Sequence, residues 1–380
     1  MSTPLLLKGF EVELFTGRDD GSHVGVAAEV AQELPDFVTE PDHRNLEYIT
    51  APTSSYAELP ELLLQPRRRL RDWLQQRNLT LLPGSTLSRG DTRRFERSDP
   101  ANPYHDLIEQ SYGTRVVTAS IHINLGITDP EWLFAAVRLV RCEAALLLAL
   151  SASSPFLDDE VTGQHSQRWR QFPLTPEKVP LFLNHSHYIR WVEEQLAEGL
   201  MRNERHLWTS VRPNGPRRPY DLNRLELRIC DLVTDPAELI AITALLELRL
   251  LQLHDAPQQL DPIRSSRLTA EELATLADAN DAAAAHQSLD ATLHRWQDGS
   301  SVTCRAWIKE LLDQISPLAQ QHNLLSQLRP MDDLLGNGNQ AMRWINAVET
   351  GTSISALLQQ GSLTMSDQEQ RSTPMSGALG

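Results

Sequence analysis

The segment KGFEVELFTG, residues 8–17, decides the fold. Its polar and apolar residues alternate, and a period of two is the signature of a half-buried β-strand. Phe10, Val12 and Leu14 then share one face, while Glu11 and Glu13 share the other. Three further segments repeat the pattern. RNLEYIT (44–50) places Glu47 within a strand, and Glu40 lies just before it in TEPDHRNLEY. VVTASIHINLGI (116–127) sets Ser120, His122 and Asn124 against Ile121, Ile123 and Leu125. NRLELRICD (223–231) sets Arg224, Glu226, Arg228 and Cys230 against Leu225, Leu227 and Ile229. Together they predict an antiparallel or mixed sheet whose polar face carries acids, an imidazole and arginines.

Such a face has an electrostatic problem, because carboxylates a few ångströms apart do not all ionise uncompensated. Protonation, pairing with arginine and binding of divalent cations each relieve the repulsion. Hard oxygen ligands with one imidazole suit Mg²⁺ or Mn²⁺ better than a structural zinc site, and such ions commonly contact substrate phosphates. Glu226 beside Arg228 adds an anion-binding cation, a combination that fits phosphoryl transfer. Each segment taken singly also fits a plainer role. E-x-E fits the solvated face of a sheet, a histidine between isoleucines fits a hydrogen-bonded core residue, and E-x-R fits a weak ion pair. Paired carboxylates also run glycoside hydrolysis. A non-catalytic binding module would carry its acids structurally. The sequence contains no G-x-x-x-x-G-K-[ST] loop and no G-x-S-x-G elbow. His185 and His187 in NHSHY lack a third zinc ligand, and GNGNQ (336–340) reads as a turn.

With 41% hydrophobic and 22% charged residues in 380, the chain is long enough to bury a sizeable core. A net charge of −15 argues against a nucleic-acid partner, which needs a basic face. Three cysteines without metal-type spacing predict free thiols in a reducing compartment. The start MSTPLLLKGFE lacks the basic region and long apolar run of a signal peptide. EAALLLALSASSPF is too short to span a membrane. The expectation is a soluble cytoplasmic protein, monomeric or homodimeric, with small-molecule substrates and neither nucleic acid nor membrane as partner.

Helical periodicity marks residues 57–77, interrupted by Pro66, then 130–151 with Asp129 as cap and Pro130 at the first helical position, and 188–201. A further helix starts at Asp235-Pro236. Residues 255–266, DAPQQLDPIRSS, read as a linker, after which helices dominate. Thr269 and Glu272 have capping-box spacing. LADANDAAAAHQSLDATLHRWQ, RAWIKELLDQISPLAQQH and NQAMRWINAVETG read as helices. The expected organisation is a catalytic domain over 1–255, a helical segment packing on it over 256–362, and a disordered polar tail over 363–380.

GFEVELFTG, TEPDHRNLEYIT, TASIHINLGI, SASSPFLDDEVTGQHSQRW and SVRPNG…LNRLELRICD resemble, in order, the bacterial glutamate–cysteine ligases of the branch found in cyanobacteria and some proteobacteria. LHRWQDG and GNQAMRWINAVETG in the helical part resemble the same branch. The resemblance implies an α+β fold related to the catalytic domain of glutamine synthetase, in which a curved antiparallel sheet forms a half-barrel around metal ions, ATP and glutamate. It implies the first step of glutathione synthesis, in which ATP, L-glutamate and L-cysteine give γ-glutamylcysteine, ADP and phosphate. A related carboxylate–amine ligase with another amine acceptor is the alternative. By the same resemblance, Glu11, His122 and Glu226 are ligands of a Mg²⁺ or Mn²⁺ ion at the nucleotide phosphates. Glu13 and Glu47, with Glu40, are ligands of an ion nearer the substrate. Arg228 is the catalytic arginine on the transferring phosphoryl group, Arg168 and Arg212 bind substrate, and Asn124 binds nucleotide. Cys142 and Ala144 depart from the family's wording in their helix, and the PRRPYDLNR connection is longer than in the most distant branch.

Overall fold

β1 (Lys8–Gly17) is the hub of a seven-stranded sheet in the computed structural model, which describes residues 3–371. β2 (Phe37–Thr39) and β3 (Asn45–Ile49) lie to one side of it. On the other side come β5 (Ile121–Gly126), β9 (Arg224–Leu227) and β8 (Val211–Asn214), while β4 (Thr80–Leu82) pairs with the end of β1. Every pairing in this sheet is antiparallel. β6 (Phe156–Leu157) and β7 (Glu160–Val161) form a small separate hairpin.

The apolar face expected from alternation is the core face. Phe10, Val12, Leu14, Tyr48, Ile121, Ile123, Leu225 and Leu227 are all buried in one continuous cluster. Lys8, fully buried, lies 3.3 Å from the Glu247 carboxylate, which also accepts the main-chain N–H of Leu6 and the Tyr56 hydroxyl at 2.5 and 2.6 Å. This network fixes where β1 begins.

The helix Pro130–Ser151 starts as its sequence predicts, the Asp129 carboxylate accepting the Trp132 N–H at 2.7 Å. Three charged residues interrupt its apolar run, and all are buried. Arg138 makes a two-point pair with Asp261 at 2.8 and 2.7 Å. Arg141 donates to Asp281 at 2.9 Å, and Glu143 accepts from Arg249 and from the Trp296 indole at 2.7 and 3.1 Å. Each charge either reaches into the C-terminal part of the chain or holds a residue that does, so the core runs unbroken past residue 255.

Several expectations need correction. The helix Leu59–Gln75 continues through Pro66. The stretch read as a linker folds into two helical turns, Pro257–Leu260 and Pro262–Ser265, because Asp261 is drawn in by Arg138. The helix from Ala270, with its capping box formed, ends at Gln287. DATLHRWQ lies beyond it and contributes β10 (Thr292–His294), which pairs with β11 (Ser301–Thr303). The chain is helical over Ile354–Arg371, so positions 363–371 of the expected disordered tail are ordered. Glu369, 1% exposed, receives Arg67 at 3.2 Å and is also bonded by Arg71. Positions 372–380 of that expectation lie outside the described residues.

Asp261 separates a linker from a structural joint. Removing one partner of a buried ion pair costs about 3–5 kcal/mol, whereas a surface change in a linker costs less than about 0.5 kcal/mol. Asp261→Ala should therefore lower the urea midpoint by the larger amount, and a midpoint equal to that of the wild type would return the segment to linker status.

Candidate active site

Strand register turns sequence alternation into rows of polar residues across the sheet. Glu13 stands opposite Glu47, and its N–H meets the Ser120 carbonyl. Glu11 stands opposite His122. Asn124 stands opposite Glu226, which stands opposite Arg212. Glu40 joins from the end of β2.

Two groups of potential ligands result. Glu11, Glu47 and His122 each offer a donor atom within 4.8 Å of the others, and so do Glu13, Glu40 and Glu47. Glu47 belongs to both. His122 Nδ1 lies 2.9 Å from Glu11, and the Ser120 hydroxyl donates to Glu13 at 2.8 Å. Asn124 donates its amide to Glu11 at 3.2 Å and accepts from Arg224 at 3.1 Å.

The acids have different electrostatic surroundings. Burial opposes ionisation of Glu11, but the hydrogen bond and charge of His122 outweigh it and hold the carboxyl below its ordinary range. Burial, then the Glu13 charge, pushes Glu40 up to about 8. Burial, then Glu40 and Glu13, pushes Glu47 up to about 10. Glu226 is fully buried too, yet Arg212 and Arg228 outweigh that and hold it well below the usual range. Glu40 and Glu47 thus lack the cation that Glu226 has. Hard carboxylate donors, one imidazole and uncompensated negative charge fit Mg²⁺ or Mn²⁺.

Glu226 is not brought into either ligand group. Its oxygens accept from Arg212 at 2.8 and 3.0 Å, from Asn214 at 2.6 Å and from Arg228 at 2.5 Å, and one lies 3.8 Å from His122. Arg212 spends its remaining contacts on the carbonyls of Arg205 and Leu207 at 2.9 and 2.8 Å. It sits behind Glu226, away from the lining of the adjoining cavity.

That cavity, of about 600 Å³, is lined by Glu13, Glu40, His122, Arg168 and Arg228 among others. A second, of about 470 Å³, adjoins Glu11, Asn124 and Arg224 and has Leu7, Ile49 and Pro52 in its walls. Neighbouring acids of β1 therefore border different cavities. Arg168, 1% exposed, donates to the carbonyls of Ile229 and Arg228 at 3.0 and 3.1 Å. Its Nε and that of Arg228 are buried without a hydrogen-bond partner. Both side chains line the cavity, and two guanidinium groups on one wall suit an anionic ligand.

Sequence reasoning missed two features. Asp231, fully buried, accepts from Ser153 N–H at 3.0 Å and from the hydroxyls of Ser154 and Ser166 at 2.6 and 2.8 Å. It thereby fastens the turn bearing Arg168 to the sheet; the serines in SASSPF and GQHSQ were the available signal. The wall built by Tyr104, Phe172, Arg205 and Trp208 comes from segments with no strand alternation. His185 and His187 play local roles, His185 at the Pro219 carbonyl and His187 accepting the Leu183 N–H.

The family model for glutamate-cysteine ligase family 2 (GCS2) matches residues 7–366. The chain belongs to glutamate-cysteine ligase family 2. A relative named "Putative glutamate–cysteine ligase 2" from Thermobifida fusca is 27% identical over 344 residues, 87% of this chain and 83% of its own. Another of that name, from Solibacter usitatus, is 26% identical over 364 residues, 92% of this chain and 90% of its own. A crystal structure of glutamate–cysteine ligase from Francisella tularensis in complex with AMP superposes with a TM-score of 0.73 at 14% identity, covering 99% of this chain and 91% of that one. The bifunctional glutathione synthetase of Pasteurella multocida gives 0.73 at 16%, covering 96% of this chain and 53% of its own. The GCS2 chain thus shares the open antiparallel sheet and C-terminal helices of that fold.

The acid cluster makes a pH prediction. With pKa values near 8 and 10, folded Glu40 and Glu47 hold protons that the unfolded chain releases near its ordinary carboxylate range. Stability falls with pH wherever the folded state binds more protons, so the metal-free protein should lose stability as pH rises from about 4.5 towards 8. Glu47→Gln should melt higher than wild type without metal, with a gap that widens from pH 6 to pH 8, and should lose the thermal shift given by Mg²⁺. Parallel pH profiles for the two proteins would show that Glu47 ionises without penalty.

Proposed function

We propose that this family member activates the γ-carboxylate of L-glutamate with ATP and joins it to the amine of L-cysteine. The products are γ-glutamylcysteine, ADP and phosphate, as in the first step of glutathione synthesis in the cytoplasm. The observation that carries the reading is the placing of two acid groups, sharing Glu47, between two cavities, with the guanidinium groups of Arg168 and Arg228 lining one of them. ATP occupies the 470 Å³ cavity, its base against Leu7, Ile49 and Pro52 and its polar part towards Asn124 and Arg224. The AMP complex of the Francisella relative supports nucleotide binding by this fold. Glutamate occupies the 600 Å³ cavity, with Arg168 on a carboxylate.

A carboxylate does not react with an amine directly, because oxide is a poor leaving group. A γ-carboxylate oxygen attacks the terminal phosphorus of ATP, ADP departs with the bonding pair, and an acyl phosphate results. The amine, having lost a proton, then attacks the carbonyl carbon. The carbon–oxygen bond to phosphate breaks, and phosphate leaves. Mg²⁺ or Mn²⁺ held by Glu11, Glu47 and His122, and by Glu13, Glu40 and Glu47, would supply the positive charge that the phosphates and acids need. Arg228 faces the same cavity and places its guanidinium against the charge that develops on the moving phosphoryl group. Glu226 orients Arg228, and Arg212 with Asn214 fixes Glu226, so Glu226 and Arg212 act by positioning. The three cysteines are buried and free, and burial pushes the Cys230 thiol up to about 12, which suits a passive packing role.

The deciding assay combines protein, Mg²⁺, ATP and glutamate, with and without cysteine. Cysteine-dependent phosphate release with γ-glutamylcysteine identified by mass is expected; phosphate release indifferent to every amine would overturn the reading. Arg228→Ala should lower kcat by about a thousandfold. Its fold should persist, since Glu226 keeps Arg212 and Asn214, and a native circular-dichroism spectrum with a lowered melt alongside lost turnover is the expected pair of results.

A further inference from the structure

The 600 Å³ cavity has one cation unlike the others. Arg168 and Arg228 are largely committed to carbonyls and to Glu226. Arg205 also lines the cavity, yet among the described residues its side chain makes no hydrogen bond or ion pair. Its backbone is nevertheless fixed. Asn203 accepts the Arg205 N–H at 2.9 Å, and the Arg205 carbonyl accepts from Arg212 at 2.9 Å. A free guanidinium is thus mounted on a turn tied to the pair that orients Glu226.

The neighbouring wall is aromatic and well braced. The Trp208 ring lies 4.6 Å from His206, 5.0 Å from Tyr112 and 5.5 Å from Phe172. Tyr112 and His206 are joined by a 2.8 Å hydrogen bond. Tyr104 lines the same cavity as Glu40 and Arg205. Among the described residues the acids lining this cavity are Glu13 and Glu40, both at the metal-ligand end.

We propose that Arg205 is the residue that sets acceptor specificity, its guanidinium holding the acceptor's carboxylate while Tyr104, Phe172 and Trp208 take the acceptor's side chain. The proposal rests on the ligase reading above. An acceptor without a carboxylate leaves Arg205 nothing to bind. An acidic side chain meets Glu13 and Glu40, and a basic one must shed water against the aromatic wall.

The test compares each amino acid with its decarboxylated counterpart: cysteine with cysteamine, and alanine with ethylamine. Hydroxylamine, which needs no carboxylate contact to trap the acyl phosphate as γ-glutamyl hydroxamate, serves as reference. The wild type should favour the amino acids. Arg205→Ala should shrink that preference by about ten- to a hundredfold, mainly through the KM of the amino acid, when each rate is normalised to the same protein's hydroxamate rate. Arg205→Lys should keep part of it, and Arg205→Gln reads the same ratio should the alanine variant not fold. Hydroxamate formation with equal preference in wild type and variants, or a preference for the decarboxylated amines, would overturn this proposal and leave the ligase reading standing. Absence of hydroxamate with Mg²⁺, ATP and glutamate would overturn both.

Discussion

Glu13 and Glu47 stand directly across from each other in the register of β1 and β3, where like charges repel. The repulsion is built in by backbone pairing, because sliding either strand by one residue would turn its acids into the core. Among the described residues, no arginine forms an ion pair with either carboxylate. Arginines are spent elsewhere, on Glu226, Asp261, Asp281 and Glu369. The repulsion is relieved by protons on Glu47 and Glu40, which a divalent cation at the same acids would displace.

The rest of the architecture serves to keep that arrangement in place. Glu247 sets the start of β1 through Lys8, Leu6 and Tyr56. Asp231 ties the turn bearing Arg168 to the strand end bearing Arg228. Arg212 clamps Glu226, and Glu226 aims Arg228. Groups of this kind are costly to bury unless every partner is present, so they give rigidity to a face that must hold charges at fixed distances.

Much of the site is visible in the chain because a strand exposes its design every second residue. Glu11, Glu13, Glu47, His122 and Glu226 can be placed on one face from alternation alone. Alternation does not say which residues stand opposite each other, and only pairing shows that Glu47 serves both ligand groups while Glu226 serves Arg228. Long-range pairs are also hidden. DAPQQLDPIRS looks like a linker because its proline and polar content suits a loop, yet Arg138, more than a hundred residues earlier, pulls Asp261 inside. The polar helix ending at Arg371 lacks a strong apolar stripe, and buried Arg67 and Arg71 explain its docking through Glu369. The cavity wall at Arg205 and Trp208 lies on a short turn with no periodicity to read.

Glu40 differs from the other acids in its support. It follows β2, a three-residue strand at the sheet's edge, and its carbonyl is held by the Ser98 hydroxyl. Elements at an edge open at lower free energy than central ones. Fraying of this corner would strip one carboxylate from the Glu13 group and leave Glu11, Glu47 and His122 together on three central strands. The two halves of the acidic face therefore have unequal mechanical strength, and the looser half is the one that borders the larger of the two cavities beside the acids.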